Sequence, residues 1–179
     1  MPVSTQFPTA NAAETGAGLT NPNNAHADDG SYATALPGKN TTLATKYQNF
    51  GFDSVIPVGS MITKVQIIYQ WKVDVTTSIA TGRTYYKISG TPGSNNDDAT
   101  EPTSDTTNTI DVTSARAWTR SDLLNGTLEV ALAAVQGNSS TAVTFSFDYV
   151  QVEVTHAPFP SNLQQIQQPI FTQTKIVSY

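Results

Sequence analysis

From Val65 to Val75 every second residue is apolar. Val65, Ile67, Tyr69, Trp71, Val73 and Val75 alternate with Lys64, Gln66, Gln70, Lys72 and Asp74, and Ile68 is the one interruption. A period of two sends successive side chains to opposite faces of an extended chain, so this stretch is a long strand with one face buried. The strand follows Ile56-Pro57-Val58-Gly59-Ser60, a turn in which proline fixes one dihedral angle and glycine relieves the next bend.

The pattern recurs. Leu128, Val130, Leu132 and Ala134 alternate, run into Gly137-Asn138, and are followed by Val143, Phe145, Phe147 and Tyr149. That pair reads as an antiparallel hairpin. After Tyr149 the apolar phase slips by one residue to Val150, Val152 and Val154, the mark of a β-bulge or of a strand that changes faces. Arg83 to Ser89 is a shorter strand, and Leu43 to Phe52 and Asn108 to Val112 are weaker ones. With seven or eight strands, the fold class is all-β, an antiparallel β-sandwich of jelly-roll-like form. Helical signal is confined to Thr119 to Gly126, where Thr119 or Ser121 can cap and Gly126 can end a single turn, with Trp118 plugging one end of the core.

Both ends of the 179-residue chain lack periodicity. The expected organisation is an extended N-terminal arm over residues 1–27, the sandwich over 28–156 and an extended C-terminal arm over 157–179. Extended, an arm of 25 residues reaches up to roughly 80 Å. Its isolated apolar side chains are the candidate partner-binding residues: Phe7 and Leu19 in the first arm, Phe159, Ile166, Ile170, Phe171, Ile176 and Tyr179 in the second. Gly90 to Thr109, nearly devoid of apolar residues, reads as the longest interior loop and is expected to face solvent or a partner.

Composition removes several function classes. A formal charge of −5, with nine basic residues scattered singly, argues against neutralising nucleic-acid phosphates. No apolar run reaches the length of a membrane span, and the first twenty residues lack the pattern of a signal peptide. Without cysteine there is no disulfide, thiolate metal site or cysteine nucleophile. No cofactor motif is present.

The chemistry-bearing residues have plainer readings. His26 and His156 sit beside no nucleophile or metal motif and read as incidental surface residues. Asp97, Asp98, Glu101 and Asp105 offer oxygen ligands to calcium but lack the spacing of an EF-hand loop. Asp28 and Asp29 before Gly30 form a turn. Glu129, Asp148 and Glu153 are carboxylates of the kind that cleave glycosides in pairs, yet they fall on outward strand positions or at the phase slip. No catalytic residue and no metal ligand is therefore assigned. Of the adjacent Tyr85 and Tyr86, one must face outward, which makes Tyr85, with Trp118, a candidate glycan contact.

One ordered set of segments looks familiar. Asp28-Asp29-Gly30-Ser31-Tyr32-Ala33 precedes Phe50-Gly51-Phe52 and Ile56-Pro57-Val58-Gly59-Ser60-Met61-Ile62. Ala117-Trp118-Thr119-Arg120-Ser121-Asp122-Leu123 follows, and Phe147-Asp148-Tyr149-Val150-Gln151-Val152-Glu153-Val154 closes the set. This order resembles a β-sandwich module of tailed-phage structural proteins over about residues 28 to 156. The resemblance implies a structural virion protein on the capsid surface, made in the host cytoplasm. In that role it is a decoration or cement protein, not an enzyme, that binds the major capsid protein and copies of itself, as a trimer, through its arms. The alternatives it leaves are a glycan-binding receptor module of a fibre or baseplate, and a neck component.

Overall fold

The computed structural model describes residues 1–158. Eleven strands run in chain order: β1 (Val3–Gln6), β2 (Ala10–Thr15), β3 (Ala33–Ala35), β4 (Thr42–Gln48), β5 (Met61–Val73), β6 (Ala80–Ile88), β7 (Thr91–Pro92), β8 (Asn96–Asp98), β9 (Thr106–Asp111), β10 (Leu128–Gln136) and β11 (Phe145–Ala157). They form two antiparallel sheets. The five-stranded sheet has the order β1-β11-β5-β9, with β3 also on β11, and the six-stranded sheet has the order β2-β4-β10-β6-β7, with β8 also on β6. The expected antiparallel sandwich is the fold observed. Among the described residues no helix is long and apolar enough to cross a membrane.

The long strand is β5, and its alternation is the burial pattern: Val65, Ile67, Tyr69, Trp71 and Val73 are all buried. Trp71 stands at the centre of the core, stacked on Phe145 and Phe147 with ring centroids 6.0 and 6.3 Å away. Gly82 of β6 lies against the other side of the indole, where a Cβ would come within 2.8 Å of the ring. Glycine there lets the two sheets close on the largest core side chain. The phase slip at Tyr149 is also as expected, since the β11–β5 register shifts between Phe147 and Val150.

Three expectations fail. First, β10 and β11 do not form a hairpin: β10 pairs with β4 and β6, whereas β11 pairs with β1, β3 and β5. Residues 137–144 carry the chain from one sheet to the other. Second, the N-terminal segment is no free arm, because β1 extends one sheet along β11 and β2 extends the other along β4. Leu19 and Ala25 lie in the core, and the Leu19 amide donates to the Thr45 hydroxyl at 2.8 Å. Short edge strands of polar residues gain their stability from ladder hydrogen bonds to a strand already in place, which gives no periodicity to read.

Third, Gly90 to Thr109 is not a loop throughout, although it faces solvent as expected, Glu101 alone among its residues being buried. β7 and β8 pair along the edge of β6, and β9 along β5, so the segment clips the edges of both sheets. Its anchor is Glu101, 4% exposed, whose carboxylate accepts the backbone amides of Thr77, Ser78, Ile79 and Ala80. Burial pushes its pKa upward, and the four amide donors outweigh that and hold the carboxyl below the usual glutamate range. Residues Arg120–Leu123 form the expected single turn, with the Asp122 carboxylate accepting from both the amide and the hydroxyl of Thr119.

Candidate binding groove

The outer face of the six-stranded sheet is built from three neighbouring strands. The β4–β10–β6 register places three rows side by side: Gln48–Glu129–Lys87, Lys46–Ala131–Tyr85 and Ala44–Ala133–Arg83. The middle strand therefore offers two alanines where its neighbours carry long side chains. The result is a groove of about 440 Å³ with Ala44 and Ala133 in its floor. Arg83, Tyr85, Lys87 and Asn95 stand on one side of it, Thr15 and Thr42 on the other.

Glu14 crosses this floor. The β2–β4 register shifts between Ala13 and Thr15, which leaves Glu14 as the extra residue of a bulge, and bulges re-aim side chains. Its carboxylate meets Lys87 Nζ at 2.7 Å although β4 and β10 lie between their strands. On a flat sheet those three strand spacings amount to roughly 14 Å, so the two long side chains arch over the alanines.

The remaining charges are paired as well. Lys46 Nζ donates to Glu129 Oε1 at 2.9 Å, and Lys87 Nζ lies 3.8 Å from Glu129 Oε2. Gln48 donates to the same Glu129 carboxylate. Arg83 grips Asp97 with Nε and Nη2 at 2.5 and 2.8 Å, a bidentate pair that holds the Asp97 carboxyl below its usual range. The Tyr85 phenol is pushed upward, first by burial and then by the Glu14 carboxylate beside it, so it is a neutral hydroxyl.

Among the described partner-binding and glycan-contact candidates, only Tyr85 lines this groove. Trp118 is buried, tilted against Tyr86 at 5.2 Å, and donates its indole N–H to the Val112 carbonyl at 2.9 Å. It is a core residue, not a platform. Phe7, half-buried, packs edge-on against Tyr149 with centroids 6.1 Å apart, and Leu19 is buried in the core and not free for a partner. Phe159, Ile166, Ile170, Phe171, Ile176 and Tyr179 lie outside the described residues.

The other candidates have structural roles. His156 is buried rather than a surface residue, and His26 packs on Tyr47 at 5.9 Å and meets Asn11 at 2.9 Å. Each acidic residue proposed for calcium has a protein partner. Asp97 holds Arg83, Glu101 holds its four amides, and Asp105 holds Lys72 at 3.1 Å. Asp98 accepts from Trp71 Nε1 at 2.8 Å and from Asn108 at 2.6 Å. Asp148, expected outward, is buried at the bulge and accepts the Gly30 amide at 3.0 Å.

Sequence reasoning missed Glu14 and the alanine floor. A signal for the floor exists: Ala131 and Ala133 occupy the outward phase of β10, where a solvent-facing strand ordinarily carries larger polar residues. Nothing in the sequence marks the bulge that aims Glu14.

The sequence matches no family model and no curated protein. Among solved structures, one described as "CBM4 structure and function" is similar at 12% identity, covering 86% of this chain and 94% of its own, with a TM-score of 0.48. A xylan-binding module, CBM15, is similar at 13% identity, covering 89% and 99%, with a TM-score of 0.44. The CBM36-1 domain of a multidomain xylanase from the hindgut metagenome of Trinervitermes trinervoides is similar at 12% identity, covering 87% and 98%, with a TM-score of 0.40. Likeness at this level is one of layer architecture and extends to no residue of the groove.

Proposed function

We propose that this chain is a carbohydrate-binding module that holds a glycan in the groove over Ala44 and Ala133 and performs no chemistry on it. The observation that carries this reading is the shape and lining of the groove. A sugar ring has an apolar face and a rim of hydroxyls. The groove offers the apolar face the Tyr85 ring and Pro92, and the hydroxyls the side chains of Thr15, Thr42 and Asn95; Ala44 and Ala133 beneath, each 1% exposed, give it depth. Its volume falls within the range of roughly 300–1,000 Å³ usual for ligand sites. Glycoside cleavage needs one carboxyl protonated and a second one free to act. Glu14 and Glu129 each hold an ammonium group instead, which favours binding without turnover.

A glycan array probed with the folded wild-type protein and with Tyr85→Ala tests the proposal. Reproducible wild-type hits that weaken at least tenfold in the variant are expected, with unchanged melting by circular dichroism. Hits that survive the substitution, or no hits at all, would remove the groove as the site.

A second reading, assembly through one end of the sandwich, draws on a separate observation. Met1, Val3, Val58 and Met61 are 80, 55, 87 and 49% exposed and surround the point where the chain leaves at Pro158. A capsid-decoration role would use this end, since only the C-terminal segment is left to act as an arm. Sedimentation of the full chain beside residues 1–158 decides it: self-association lost on truncation supports assembly, and two monomers refute it.

A further inference from the structure

We infer that the groove selects uncharged glycans and turns away acidic ones. This rests on the carbohydrate reading above and adds the class of sugar to it. Six charged side chains stand in or beside the groove, three cations (Lys46, Arg83, Lys87) and three anions (Glu14, Asp97, Glu129). All six are matched. Lys46 meets Glu129 at 2.9 Å, Lys87 meets Glu14 at 2.7 Å, and Arg83 meets Asp97 through two parallel bonds.

A uronate or sulfate is recognised by a cation with free donors. Here each cation keeps spare N–H donors but is already neutralised by a carboxylate within 2.9 Å. An incoming anion therefore meets no net positive charge and must lie beside Glu14 or Asp97, and drawing Lys87 away would strand the Glu14 carboxylate in a partly enclosed site. Lys87 and Glu14 have side chains only 15 and 18% exposed, so the stranded charge would be poorly solvated. The Arg83–Asp97 pair resists for a geometric reason, because the planar guanidinium already satisfies both oxygens of one carboxylate.

A neutral sugar asks for none of this. Its hydroxyls can donate to the remaining lone pairs of Glu14 and Asp97, and can bond to Tyr85, Thr15, Thr42 and Asn95, while every ion pair stays in place. Such contacts are short-ranged and are not screened by salt in the manner of a charge attraction.

Affinity electrophoresis tests the inference with defined probes: gels containing a neutral xylan, a neutral mixed-linkage β-glucan, polygalacturonate, or a dermatan sulfate. The wild type is expected to be retarded by at least one neutral polymer and by neither acidic one. The neutral affinity should change less than twofold between about 0.05 and 0.5 M salt. Glu14→Gln, which frees Lys87 from its partner, and Asp97→Asn, which frees Arg83, should gain salt-sensitive retardation by polygalacturonate.

Stronger retardation of the wild type by an acidic polymer than by any neutral one overturns the selectivity and leaves the carbohydrate reading standing. No retardation of any folded protein in any gel overturns both.

Discussion

Along the outer face of the five-stranded sheet, β5 carries Lys64, Gln66, Ile68, Gln70 and Lys72. Along the outer face of the six-stranded sheet, β10 carries Glu129, Ala131, Ala133 and Val135. Both strands lie between neighbours, and in both successive side chains point to opposite faces. β5 presents mostly long polar side chains on its outward face, with Ile68 among them. The alanines of β10 are short and lie buried beneath the Glu14–Lys87 pair, and the longer side chains of β4 and β6 become the sides of a groove. Side-chain volume along one strand thus shapes the groove. The second difference is at the edge, where β7 and β8 raise a wall beside β6, fastened by Glu101.

The comparison breaks most severely if the floor is filled. Ala133→Trp should reduce glycan affinity at least a hundredfold, about 3 kcal/mol by calorimetry, because the indole would take the ligand's space. Ala133 points away from the space between the sheets but is only 1% exposed, so circular dichroism of the variant must show wild-type melting for the affinity to count.

Glu101→Gln is next. It replaces a carboxylate by an amide that puts donors against donors, and should cost about 2–3 kcal/mol of stability in urea unfolding. The same residue predicts a pH dependence. Its folded pKa lies below the unfolded value of about 4.3. Its stabilisation is therefore fully present above that value and lost as pH falls through the folded pKa. Midpoints measured from pH 7 downward should fall more steeply for wild type than for Glu101→Gln in that acid window.

Tyr85→Phe keeps the ring and removes the hydroxyl, so affinity should drop about three- to tenfold, or about 0.7–1.4 kcal/mol. The smallest effect sharpens the contrast between the faces. Gln70→Ala on the five-stranded sheet should change glycan affinity by less than a factor of two, read on the same calorimeter. A large effect there would move the site to the other sheet.

Much of the inner architecture was legible in the chain. The alternation of Val65 to Val73, the slip after Tyr149 and the Thr119 turn each reflect local geometry, in which neighbours in sequence are neighbours in space. Tyr85 as the outward member of its pair follows from the same rule. The rest of the site depends on strands that meet only after folding. Glu14 and Lys87 are 73 positions apart, and no spacing rule joins them.

By itself, then, the sequence determined that the chain builds an antiparallel sandwich and which side of each main strand faces the core, because burial imposes a period of two. Partner choice was decided by the tertiary structure. Backbone donors and acceptors are the same at every residue, so alternation says which face is buried and not which strand lies beside it. That is why β10 and β11, adjacent in sequence and expected as a hairpin, lie in opposite sheets. It is also why the N-terminal strands, too polar and short to show a pattern, were found only where the sheets already offered them an edge.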